Sequence, residues 1–216
     1  MTLDVRAIGY DVDQTLYPDL PEFKNAVRAE FYKFIALKRG IDVAKARDEF
    51  EAAYAELGSS SPAFMKCGIA DPREAVRDCL DTADVSRLLQ RDHGLVDMMT
   101  RLGERGYIQF IITDGRRENT QKKLDALGVT THMVSPIICW DAPLPAGELK
   151  KETGKAFRYV QEYLRLEPER IAFVGNSEKD DIVRPNELGW KTVYVGGVSK
   201  LATASIARVL DLEKLV

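Results

Sequence analysis

Cysteine is scarce in this sequence of 216 residues: Cys67, Cys79 and Cys139 are the only three, and no two form a Cys-x-x-Cys pair. An odd, widely spaced set supplies neither a disulfide framework nor a zinc site, and it fits a reducing cytoplasm. An excess of one charge is lacking too. The 31 basic and 34 acidic residues leave a net charge of -3, with no broad basic field for nucleic acid or acidic lipid. No apolar run reaches the length of a membrane span, and the opening MTLDVRAIGYDVD has acids where a secretory signal needs uninterrupted apolar residues. The expectation is a soluble, cytoplasmic protein without nucleic-acid or membrane partners. Repeats and low-complexity tracts are absent, as are G-x-G-x-x-G and Walker-type loops, the usual means of holding a nucleotide by its phosphates.

What is present begins with a largely apolar run, Val5 to Tyr10, that stops at Asp11 and repeats the acid at Asp13. Strands of parallel sheets are buried on both faces and read as apolar runs, and ligands of open α/β folds bind beyond their carboxyl ends. Two acids so placed repel one another unless a cation or hydrogen bonds intervene, and a metal is the natural resolution. An Asp-rich turn is the plainer reading. A calcium loop using Asp11, Asp13 and Glu22 misfits, because Leu16 stands where that loop needs Gly and a strand precedes where a helix should.

Along the chain, Pro21 to Arg39 carries Phe23, Val27, Phe31, Phe34 and Ile35 at helical spacing, with Gly40 as the stop. A second helix follows the N-cap Asp42 and runs to Gly58, GSSSP (58–62) reads as a loop, and Asp71 with Pro72 announces a third helix. From His93 onward, helix and strand alternate. Strands are expected at 107–113, 171–174 and 191–195, one or two short strands within 133–140, and helices at 116–127, 156–166 and 180–188. Such alternation argues an α/β domain, a parallel sheet with helices on both faces, built from 1–16 and 92–216. The helical block 17–91 interrupts it directly after the first strand. The aromatics Phe23, Phe31, Tyr32, Phe34, Phe50 and Tyr54 of that block form its own core or a substrate-stacking surface, and stripes at helical spacing favour the core.

The apolar strand followed by D-x-D-x-T, here Asp11, Asp13 and Thr15, resembles the first motif of the haloacid dehalogenase-like (HAD) superfamily. Its second motif, a hydroxyl closing a strand, is matched by Thr113 in FIITDG, with Asp114 where many members carry Asn. Its third, a Lys six residues before a Phe, is matched by Lys151 and Phe157 in KETGKAF, although Lys150 and Lys155 are rivals. The fourth is matched by IAFVGNSEKDDIVRPNELG, in which Asp181, with Asp180 beside it, is the second acid and Asn176 replaces the first.

The resemblance implies a Rossmann-like core with an inserted helical cap. It implies a magnesium-dependent phosphatase acting on a small phosphorylated metabolite, similar to the phosphoglycolate phosphatase-like and pyrimidine 5′-nucleotidase-like branches. Asp11 would be the nucleophile, Asp13 the general acid and base, and Thr113 and Lys151 would hold phosphoryl oxygens. Magnesium ligands would come from Asp11, Asp13, Asn176, Asp180 and Asp181. Asp114, Gly115, Arg116 and, from the helical block, Lys66 are candidates for contacting substrate. A phosphomutase using the same residues and a non-catalytic phosphate-binding protein are the alternatives.

Overall fold

The computed structural model describes residues 2–142 and 150–216. The chain divides into two compact units, Met1–Pro18 with Gln90–Val216, and Asp19–Leu89. In the first, among the described residues, β1 (Ala7–Tyr10), β2 (Ile108–Ile112), β3 (Ile137–Ile138), β4 (Ile171–Gly175), β5 (Lys191–Val195) and β6 (Ala204–Ile206) form one parallel sheet in the order β3-β2-β1-β4-β5-β6. The chain thus lays strands on one side of β1 and, from β4 onward, on the other. The carboxyl ends of β1, β2 and β4 flank this reversal, where open α/β sheets leave a crevice for ligands.

Alternation along the strands sends side chains to two helical layers. Phe110, Ile112 and Phe173 pack with Phe157 and Val160 of α7 (Lys155–Leu164) and with Trp190, and Phe157 meets Phe173 edge-on at 4.9 Å. Gly9 belongs to this layer for want of room: a Cβ there would lie 2.2 Å from the Phe110 ring and 2.7 Å from Phe173. On the opposite face Tyr10 donates to Gln109 Oε1 at 2.9 Å, and Gln109 Nε2 donates to the carbonyl of Met99 at 2.7 Å. Met99 lies on α5 (His93–Glu104), so the one polar residue of the second strand is a buried, satisfied link between sheet and helix.

In the second unit α1 (Pro21–Arg39) begins with a proline and stops at Gly40, whose φ of 64° is the left-handed cap a glycine adopts freely. α2 (Val43–Leu57) and α4 (Pro72–Ala83) are capped by the carboxylates of Asp42 and Asp71, which accept from the amides of Lys45 at 2.9 Å and Glu74 at 3.3 Å. Phe31 and Phe50 of the aromatic stripe join Phe64 in the unit's own core, where Phe31 and Phe64 sit edge-to-face at 5.0 Å. Tyr32, Phe34 and Tyr54 pack against that core, and Phe23 lies outside the cluster.

Two local expectations are corrected, and one strand is added to those expected. The segment read as a loop from 58 to 62 continues into a helix, α3 (Ser60–Lys66), because Pro62 falls in the first turn, where a missing N–H costs nothing. The helix expected from Asp180 starts earlier, as a π-helical turn over Glu178–Val183 that runs into α8 (Arg184–Asn186). β6 follows a loop and has only three residues, too few for an alternation to register. The calcium-loop geometry is excluded as well, since β1 precedes Asp11 and Glu22 lies in α1.

Candidate active site

Strand register brings the motif residues together. Tyr10 pairs with Ile111 on one side and Val174 on the other, and the Asp11 amide donates to the Val174 carbonyl at 2.9 Å. Asp11, Thr113 and the turn after Gly175 therefore leave the sheet side by side. Lys151 reaches them from outside it: its backbone amide donates to Asp114 Oδ1 at 3.3 Å, and its Nζ lies 2.6 Å from Asp11 Oδ1 and 2.8 Å from Asp181 Oδ1. Neither rival lysine does this, for Lys150 rests on the Trp140 ring, 4.2 Å from its centroid, and Lys155 is exposed. Asp114 is thus an anchor for the segment carrying Lys151.

This ammonium between two buried carboxylates sets the electrostatics. Burial pushes Asp11 up from an ordinary 3.8 to about 7; Lys151 opposes the rise, and Asp181 and Asp13 add to it. Burial disfavours the charge on Lys151, yet Asp11 and Asp181 together hold its pKa well above the ordinary value. Asp181 is fixed from its other oxygen, Oδ2, by the amides of Asn176 at 3.1 Å and Ser177 at 2.9 Å. That carboxylate fits only because residue 175 is glycine: a Cβ there would lie 2.4 Å from Asp181 Cβ, Cγ and Oδ2.

Asp13 stands apart. Its Oδ1 accepts from Lys123 Nζ at 2.6 Å and from the Tyr17 hydroxyl, whereas its Oδ2 has no hydrogen-bond partner among the described residues. Burial pushes its carboxyl up, but the Lys123 charge and the hydrogen bonds from Lys123 and Tyr17 overcome this and hold it below the ordinary range. Lys123 is the functional candidate that sequence reading missed. It sits on α6 (Arg117–Leu127) on the same buried face as Thr120, Leu124 and Leu127, so helical phase marked it as a cation in need of an interior partner.

Thr113 is buried, and its Oγ accepts from the Gly115 amide at 3.1 Å, which leaves the hydroxyl hydrogen free to donate. A Cβ on Gly115 would come within 2.9 Å of Thr120 Oγ1. Arg116 is the N-cap residue of α6, directly beyond that turn. Lys66 ends α3 in the second unit, where it pairs with Glu56.

The five expected metal ligands do not converge as carboxylates, and among the described residues no three His, Cys, Asp or Glu side chains form a metal-holding group. Both Asp181 oxygens are engaged, Asp13 turns to Lys123, and Asp180 Oδ2 pairs with the Ser177 hydroxyl at 3.3 Å. Asp180 Oδ1 is buried without a partner among the described residues, and burial followed by the charge of Asp114 raises that carboxyl above its ordinary range. Two oxygens do converge: the Thr15 hydroxyl lies 3.2 Å from Asp11 Oδ2 and 3.4 Å from Asn176 Oδ1. Asn176 is oriented for this by its Nδ2, which donates to Gln14 Oε1 at 3.2 Å. An oxygen-only donor pair of this kind suits magnesium, which keeps several waters and binds through one or two protein groups plus substrate phosphate.

Among curated proteins, the phosphoglycolate phosphatase of Haemophilus influenzae is 22% identical over 208 residues, covering 89% of this chain and 86% of that protein. Among solved structures, a HAD phosphatase from Thermococcus onnurineus superposes with a TM-score of 0.69 at 22% identity, over 97% of both chains. The L-2-haloacid dehalogenase of Xanthobacter autotrophicus does so with a TM-score of 0.60 at 15% identity, also over 97% of both. At such identities the structural likeness speaks for the fold, which phosphatases and dehalogenases share. The sequence profile of the haloacid dehalogenase-like hydrolases matches residues 5–183, most of the length, and the chain belongs to that family.

Proposed function

We propose that the protein is a magnesium-dependent phosphatase that hydrolyses a small phosphorylated metabolite through a phosphoaspartate on Asp11. The observation that carries this reading is Asp13: a second carboxylate, two residues beyond the first, with one oxygen clamped and the other without a partner among the described residues, on a side chain 41% exposed. Attack on a carbon–halogen bond needs one carboxylate nucleophile and no acid for the departing halide. An ester oxygen leaves far more readily when protonated. The distant likeness to a phosphoglycolate phosphatase points the same way.

In the first half-reaction Asp13, ionised beside Lys123, takes up a proton from water as the anionic phosphate ester binds; an Asp11 oxygen then attacks phosphorus, the bond from phosphorus to the ester oxygen breaks, and that oxygen takes the proton from Asp13 Oδ2. In the second, water gives its proton back to Asp13 as it attacks phosphorus, and the Asp11–phosphorus bond breaks to release phosphate. Lys151 offsets the charge of Asp11 and Asp181 throughout, and the Thr113 hydroxyl donates to a phosphoryl oxygen. Magnesium, held by Asp11 and Asn176, would offset phosphate charge and orient the group for in-line transfer. Arg116 is a candidate contact for the leaving group.

A panel of phosphomonoesters assayed for inorganic phosphate, with magnesium and with EDTA, tests the proposal. Release of phosphate that needs the cation is expected. Transfer to a sugar phosphate without release would identify a phosphomutase, and halide release from 2-haloacids with no phosphate released would overturn the reading.

A further inference from the structure

Lys123 has a side chain only 5% exposed, and its sole hydrogen bond among the described residues is to Asp13 Oδ1, 110 positions away in sequence. A buried ammonium is costly unless paired, so a lysine held there serves the group it meets. Its neighbour Lys122 shows the ordinary alternative, a half-exposed side chain paired with Glu118 one helical turn away. The ion pair is also lopsided. Both donors, Lys123 Nζ and the Tyr17 hydroxyl, crowd onto Oδ1, and Oδ2 has no hydrogen-bond partner among the described residues. A pair serving stability alone gains most by engaging both carboxylate oxygens. The terminal torsion of Asp is soft, so a carboxylate without such a clamp would swing.

We infer that Lys123 is a positioning residue for proton transfer: by holding Asp13 through Oδ1 it aims Oδ2 at the ester oxygen that departs. The inference rests on the proposed phosphatase reading, because it requires Asp13 to be the acid. Lys123 touches neither substrate nor phosphorus and acts through Asp13 alone. Its effect therefore scales with the leaving group's need for a proton. A p-nitrophenolate departs with little help, whereas an alkoxide does not depart without it.

The test uses the full chain with saturating magnesium, aryl phosphates of graded leaving-group basicity, and an alkyl phosphate. Wild type, Lys123→Met and Lys123→Arg are compared, each also with Asp13→Asn. General acid catalysis contributes about 10²–10⁴-fold, so Lys123→Met is expected to lower kcat on the alkyl ester by about 10²-fold. On p-nitrophenyl phosphate it should lower kcat by less than about tenfold, with KM little changed. With Asp13→Asn already present, Lys123→Met should lower kcat no further. Lys123→Arg keeps the buried charge but changes the donor's reach, so its leaving-group dependence should lie between the two; it carries the test if Lys123→Met does not fold. The same leaving-group dependence in wild type and both variants, or a further fall in the Asp13→Asn background, would overturn the inference while leaving the phosphatase reading intact. Absence of phosphate release from every ester by the wild type would overturn both.

Discussion

Replacing Lys151 with methionine removes the ammonium that lies within 2.8 Å of both Asp11 and Asp181 and leaves two buried carboxylates without it. Breaking a buried ion pair from one side costs about 3–5 kcal/mol, because the remaining charge has neither water nor a partner. That cost depends on pH, and the sign follows from Asp11. Its folded pKa of about 7 exceeds the ordinary 3.8, so the folded state holds this proton more tightly than the unfolded chain does. The stability contributed by protonation is complete below about 4 and is lost as pH rises through about 7. Lys151 is the main influence opposing that rise, so the variant needs the proton more than wild type does. At pH 5 a proton replaces the ammonium in part, and the deficit should shrink to about 1–2 kcal/mol of lost packing and hydrogen bonds. At 2–4 °C per kcal/mol for a chain of this length, Tm should fall by roughly 10 °C at pH 8 and roughly 4 °C at pH 5. Thermal unfolding followed by circular dichroism in EDTA at both pH values measures this. An equal deficit at the two, or a larger one at pH 5, would refute the reasoning.

Asp11→Asn should abolish phosphate release, by at least about 10³-fold in kcat, because an amide cannot form the phosphoaspartate; trapping of the intermediate with labelled substrate should fail in parallel. Gly175→Ala should cost about 1–3 kcal/mol of stability and most of the activity, since the new Cβ would overlap Asp181 at 2.4 Å; an unchanged urea midpoint would show that the carboxylate relaxes without loss. Asn176→Asp adds a charge to the group that, with Asp11 Oδ2, faces the Thr15 hydroxyl, and it removes the Nδ2 donor to Gln14, so the gain in cation affinity should be modest. We expect roughly tenfold less magnesium for half-maximal activity, or about 1.4 kcal/mol, and a larger magnesium-dependent rise in Tm than in wild type. An unchanged requirement would mean that Asn176 is not a ligand.

Much of this protein was legible in its sequence because the signals are local. Helix starts at Pro21, Asp42 and Asp71 are written in capping chemistry that acts within three or four residues, and the strand that ends at Asp11 in a continuous apolar run. The alternation of strands and helices as far as β5, and hence the parallel arrangement, follows from periodicity, whereas the strand order and the three-residue β6 do not. What tertiary structure decided was which polar groups meet. Lys150, Lys151 and Lys155 are alike as letters, and only the anchor from Asp114 and the reach to Asp11 and Asp181 single out Lys151. Two adjacent lysines on α6 differ because helical phase turns Lys123 toward an aspartate 110 residues away. Gly9 is demanded by two phenylalanines of neighbouring strands, and Gly175 by a carboxylate six residues on. Periodicity and capping are written in the spacing of near neighbours, whereas the free energy of a buried charge depends on what the rest of the chain brings within 3 Å of it.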